Sequence, residues 1–153
     1  MIKNIQQTKY GLEGDCYFSL FDRDIRVSID EDTNEEYANR CIEYLNSLSE
    51  VVVLQLCLAS IRYCNDFLSM IGEEEKIFEK PTDVLSLIYP SVLIIPVPKN
   101  GHEPVIDMEL NCEWEIEHGM EWIIRADNVL YVGAFNGENP WGDFSEKDSW
   151  NYA

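Results

Sequence analysis

Basic residues are scarce in this chain: 11 Lys and Arg stand against 29 Asp and Glu, a formal net charge of -18. Nucleic acid and anionic membrane both demand Lys and Arg, so neither is expected as a direct partner. The surplus favours a basic protein partner, a cation, or high solubility. Histidine is rarer still, with only His102 and His118. The five cysteines, Cys16, Cys41, Cys57, Cys64 and Cys112, include no Cys-x-x-Cys pair, and four of them fall on apolar faces where a free thiol acts as a small hydrophobe. The first residues, Met1 to Gln7, lack the apolar run of a secretion signal. The longest apolar run, Val51 to Ala59, is interrupted by Gln55 and is too short to cross a bilayer. A reduced, cytoplasmic protein is expected. Gly11-Leu-Glu-Gly14 and Gly133-Ala-Phe-Asn-Gly137 lack the Lys and the helix start of a phosphate loop. The acidic residues are not spaced as in a helix–loop–helix calcium site, so no cofactor or metal is expected.

What is present is a chain of 153 residues with 46% hydrophobic and 12% aromatic content, enough to bury one core. Its clearest stretch is Val105 to Phe135. Ile106, Met108, Leu110, Cys112, Trp114 and Ile116 alternate with Asp107, Glu109, Asn111, Glu113, Glu115 and Glu117. That period of two predicts one half-buried antiparallel strand with all its carboxylates outward. His118-Gly119 would turn the chain, since Gly tolerates turn geometry. Trp122–Arg125 and Val129–Val132 read as two more strands, joined by a turn at Ala126-Asp127-Asn128.

Upstream, residues 2–10 suggest a short strand, and Cys16–Phe21 with Ile25–Ile29 suggest a hairpin turning over Phe21-Asp-Arg-Asp24. Ile25, Val27 and Ile29 would face the core. Thr33 and Glu36 have capping-box spacing, predicting a first helix over Asn34–Leu48. Ser49 would cap a second helix over Glu50–Ile71 with a stripe of Val53, Leu54, Cys57, Ile61, Cys64, Leu68 and Ile71, stopped by Gly72. The one or two residues between them favour an antiparallel helical pair. Pro81–Ile88 suggests a short helical turn. Val92–Val97 reads as a strand that Pro96 and Pro98 push to a sheet edge or terminate early. Strands, two helices, then more strands predict a single α+β domain over 1–153: a mostly antiparallel sheet with an antiparallel helical pair on one face. Residues 136–153 form an acidic aromatic tail, packed on the domain or partly mobile.

Four chemistries have candidate residues. Cys112, His102 and His118, with Glu115 or Glu117, are metal-ligating types, but their spacing matches no closed zinc site. Glu113, Glu115 and Glu117 would stand about 7 Å apart on one strand face, a separation that serves glycoside hydrolysis but equally a solvated or partner-facing surface. No Ser-His-Asp or Cys-His arrangement has local support. Trp141, Phe144 and Trp150 in the tail serve either as core cover or as anchors for a partner.

Cys112-Glu-Trp114-Glu-Ile-Glu117-His118-Gly119, followed by a hairpin ending in Tyr131-Val-Gly133, resembles a motif of small, functionally uncharacterised bacterial domains. These share a Cys-x-Trp-x-x-Glu-His-Gly core before a closing hairpin, and some resemble immunity proteins encoded beside secreted toxins. The resemblance covers about thirty residues and transfers no catalytic residue. It implies that Cys112, Trp114, Glu117, His118 and Gly119 build the turn.

The expected function is therefore a non-catalytic acidic binding protein, of immunity type, that covers a basic bacterial toxin. Glu109, Glu113, Glu115, Glu117, Asp143 and Trp141 are the expected contacts. The alternatives are a small hydrolase using the carboxylates with His118, and an inhibitor that mimics nucleic acid to occupy a DNA-binding protein.

Overall fold

A computed structural model describes residues 1–153. Seven strands form one sheet in sequence order: β1 (Lys3–Thr8), β2 (Gly11–Phe18), β3 (Arg23–Asp30), β4 (Ile88–Ile95), β5 (Val105–Cys112), β6 (Glu115–Arg125) and β7 (Asn128–Ala134). All neighbours are antiparallel except β3 and β4. A parallel pair needs a long crossover. Here the crossover is α1 (Glu35–Leu45), α2 (Glu50–Met70) and a 3-10 segment (Pro81–Leu87). The fold is α+β, with the two helices covering one face of a mostly antiparallel sheet.

α1 lies over β4 and β5, and α2 over β7 and the 3-10 segment. Ile25, Val27 and Ile29 of β3 face this core, joined by Ile106, Met108 and Leu110 of β5 and Met120, Trp122 and Ile124 of β6. The hydroxyl of Ser60 on α2 accepts the indole N–H of Trp122 at 3.2 Å, which settles a polar group deep in the contact. The opposite, outer face carries Asp107, Glu109, Glu121, Ile123 and Tyr131, because each is paired across from another member of the set or sits two residues along its strand.

Three expectations are corrected. Asn34, not Thr33, caps α1: its side chain accepts the amide of Tyr37 at 3.0 Å. Ser49 does cap α2, through the amide of Val52, but residues 46–49 join the helices, a longer link than expected. The buried side of α2 is Val52, Leu56, Cys57, Ala59, Ser60, Tyr63, Cys64 and Leu68, leaving Val51, Leu54, Leu58 and Ile71 exposed. By length and composition α2 is apolar enough to cross a membrane, with a mean hydropathy of 1.4 over its best window, although one side of it packs on the sheet. Of the two courses expected for the strand before Pro96, β4 takes the second: it is central in the sheet and terminates early. It ends at Ile95, before Pro96, and its internal Pro90 sits where the register with β5 slips, so no ladder hydrogen bond is demanded of it.

The tail packs against the sheet. Asn151 inserts beside β7, its carboxamide accepting the Val132 amide and donating to Leu130 O, and the Tyr152 amide donates to Val132 O. Gly133 lets the tail approach: a Cβ there would lie 2.5 Å from Trp150 O. All five cysteines are buried and unpaired.

Candidate functional site: a carboxylate-held bulge and a carboxyl pair beneath a strap

The expected single strand from Val105 to Glu117 is two strands. The chain reverses at Glu113-Trp114, so that Cys112 pairs with Glu115. Residues paired across a ladder share a face, so Glu115 points to the same side as buried Cys112 and is 8% exposed, whereas Ile116 is 80% exposed. The expected orientations of these two are reversed. Leu110 then pairs with Met120, so residues 116–119 stand opposite Asn111 alone and bulge from the sheet.

Glu115 holds this bulge together. Its carboxylate accepts the amides of Glu117 at 2.8 Å and His118 at 3.2 Å, and meets His118 Nδ1 at 2.8 Å. Gly119 closes it at φ +71, and a Cβ there would lie 2.7 Å from Leu110 O. Trp114 packs edge-on to Tyr63 of α2, ring centroids 5.6 Å apart. Burial pushes the Cys112 thiol up to about 12, so it is a core group and not a nucleophile. Glu113 and Glu117 remain exposed, Glu113 accepting the Tyr89 hydroxyl at 2.8 Å. The donor atoms of Glu115, Glu117 and His118 lie within 4.8 Å of one another, the one grouping here with metal-ligand types close together. His102 does not join them: it precedes β5, beside Tyr37, while His118 lies beyond the other end of that strand.

The second feature was not foreseen. On the outer face, Asp107 and Glu121 are diagonal neighbours on β5 and β6, 4% and 0% exposed. Burial, then the contact with Glu121, pushes Asp107 up to about 9, so Asp107 carries a proton at neutral pH. Burial and Glu121 also raise Glu109, which is half-buried beside them. Residues 136–142 lie over the pair as a strap. Glu121 Oε1 accepts the amides of Asn136 and Glu138, at 3.3 and 3.2 Å. Arg125 bonds the strap's carbonyls, at 2.5 Å to Pro140 O and 3.3 Å to Gly142 O. Trp141 is half-buried, donates its indole N–H to Val97 O at 2.9 Å and lies under the Arg125 guanidinium. Asp143 is exposed; its bonds to Ser145 hold it below the usual carboxylate range. One sequence signal pointed here: Glu121 interrupts the apolar run Met120–Ile124.

The expected contacts thus fall in separate places. Glu113 and Glu117 lie at the bulge, Glu109 on the open outer face, Trp141 and Asp143 on the strap, and Glu115 inside. No curated protein and no solved structure matches this chain. One family model, described as Domain of unknown function (DUF6985), does match it, over residues 1–140. Those residues span all seven strands, both helices, the bulge and the Asp107–Glu121 pair, and the chain belongs to that family.

Proposed function

We propose that this is a non-catalytic binding protein that presents a rigid acidic surface to a basic protein, in the immunity-type manner of covering a bacterial toxin. The observation that carries the reading is how few carboxylates are neutralised internally. Lys and Arg form ion pairs only with Glu13, Asp15 and Asp24, while 29 acidic side chains are present. Apart from these and the buried Asp107, Glu115 and Glu121, the exposed carboxylates can steer and hold a positive partner. Glu113 and Glu117 at the bulge, with Glu109, Asp143 and Trp141 on the outer face, are the proposed contacts. Five unpaired buried thiols fit a reducing compartment, the cytoplasm. The hydrolase alternative gains less support: the His118 side chain is 71% exposed with Nδ1 on Glu115, and Glu115 is occupied by backbone amides.

The test uses the purified protein and the product of the neighbouring gene, with association followed by stopped flow from 50 to 500 mM salt. Association should slow about tenfold or more across that range, and Glu113→Lys with Glu117→Lys should slow it further at low salt. Absence of binding, or a rate indifferent to salt, overturns the proposal. Competition by duplex DNA for the same partner favours the nucleic-acid-mimicking alternative instead.

A further inference from the structure

The outer-face carboxyl pair is unusual because one oxygen of each carboxyl receives no N–H or O–H donor. Asp107 Oδ1 and Glu121 Oε2 are buried without a hydrogen bond from any conventional donor. No Lys or Arg forms an ion pair with either carboxyl. Glu109 on β5 and Glu138 on the strap are acidic, and Tyr131 on β7 is a neutral phenol whose hydroxyl donates to Ala134 O. Arg125 on β6 keeps its positive charge but bonds Pro140 O and Gly142 O rather than either carboxyl, and Asp143 lies further along the strap. The helices lie on the other side of the sheet. Two adjacent ionised carboxylates cannot stay in such a place, so one must be neutralised.

We propose that residues 136–142 form a proton-gated strap: Asp107 and Glu121 share one proton that keeps the strap seated through the Asn136 and Glu138 amides, and loss of that proton releases it. Release uncovers Asp107, Glu121 and Tyr131 and adds a negative charge to the outer face. The sharing is chemically balanced. Asp107 donates its O–H to the Glu121 carboxylate, and on opening the proton passes to water. Burial, which holds the Asp107 proton on well into the neutral range, supports the arrangement.

The test is amide hydrogen exchange at Asn136 and Glu138 in the full chain between pH 6.5 and 8.5, corrected for the intrinsic pH dependence of exchange. Opening that releases one proton becomes about tenfold more favourable per pH unit, so protection of these two amides should fall by about that factor per unit. Asp107→Asn donates a hydrogen bond without a proton to lose, and should flatten the dependence. Glu121→Gln, which keeps an acceptor for the strap amides and gains a donor for Asp107, should do the same and serves if the first variant folds poorly. A flat profile in the native chain overturns the inference, as does a tenfold slope that survives in either variant. Protection that requires added Ca2+ or Mg2+ and vanishes in EDTA also overturns it, since a cation rather than a proton would then neutralise the pair.

Discussion

Truncating Glu115 to Ala should destabilise the fold without touching an exposed acidic surface. Glu115 is 8% exposed, and its carboxylate accepts both the Glu117 and His118 amides. Hydrogen bonds to a charged group contribute about 1.5–3 kcal/mol each, and an amide left buried without an acceptor costs a similar amount. The bulge protrudes from the sheet, so water can reach part of it and the lower end applies. A loss of about 2–4 kcal/mol is expected, which for a chain of this size lowers Tm by about 4–16 °C. Glu115→Gln retains one acceptor oxygen and should lose about half as much. His118→Ala should lose no more than about 0.5 kcal/mol, because the imidazole is 71% exposed and its pairing with Glu115 competes with water. Urea unfolding at pH 7 measures all three. If Glu115→Ala lies within about 0.5 kcal/mol of the native chain, or His118→Ala costs as much, the carboxylate does not hold the bulge and the reasoning is wrong.

Two further outcomes follow from the same geometry. Gly119→Ala combines φ +71 with a Cβ 2.7 Å from the backbone oxygen of Leu110, and should cost about 2–4 kcal/mol in thermal unfolding. Overall stability should fall as pH rises from 6 to 8: Asp107 is protonated up to about 9 when folded but ionises near the ordinary carboxylate value when unfolded, so the folded state binds the extra proton throughout this window. The contribution is complete below about pH 4 and gone above about pH 9, with a slope of about 1.4 kcal/mol per pH unit between them. Asp107→Asn should remove that slope, and stability that is flat or rising in the native chain would contradict the assignment. The buried thiols add to the fall as pH approaches 8, because they ionise at about 8.5 in the unfolded chain while burial lifts Cys16, Cys57 and Cys64 to about 11 in the folded one, so the difference between the native chain and Asp107→Asn isolates the carboxyl's share.

Much of the fold is written in local pattern. The two-residue turn between β6 and β7 is carried by Ala126 and Asp127, both at positive φ, where the sequence offered a turn at 126–128. Ser49 and Asn34 cap helices whose apolar spacing is plain, and the alternation of Ile25, Val27 and Ile29 faces the core as read. The reversal at Glu113-Trp114 is hidden for a physical reason. Neither residue is a Gly, Pro, Asn or Asp, and a two-residue loop brings Glu115 opposite Cys112, so the alternating letters continue while the chain turns back. The three extra residues of the bulge then restore the parity that puts Met120 and Trp122 in the core. Within the α2 stripe Cys57, Cys64 and Leu68 are buried and Val53 and Ile61 pack against the core, but Leu54 and Ile71 are exposed, because the helix is apolar on several sides and periodicity does not choose among them. The Asp107–Glu121 pair needs the register of two strands and a strap more than a dozen residues further on, which no local pattern contains.

The same separation between local pattern and tertiary closure governs the two edges of the sheet. At β1 the edge is left open, and its protection is local: a backbone irregularity at Asn4, which lies at φ +56, and a polar run with Lys3 facing solvent. At β7 protection comes from sequence-distant residues, Asn151 and Tyr152, which take up Leu130 O, the Val132 amide and Val132 O. The family model ends at residue 140, within the strap and before this closure. The carboxyl pair and the two strap amides that bond Glu121 therefore lie in the family's portion, whereas Gly142, Trp141 and the β7 seal lie outside it. Arg125 joins the two portions, bonded to Pro140 O on one side of that boundary and Gly142 O on the other. Seating the strap thus also orders the start of the segment that closes the far edge, so a proton lost beneath the strap weakens the anchor from which residues 143–153 run back to β7.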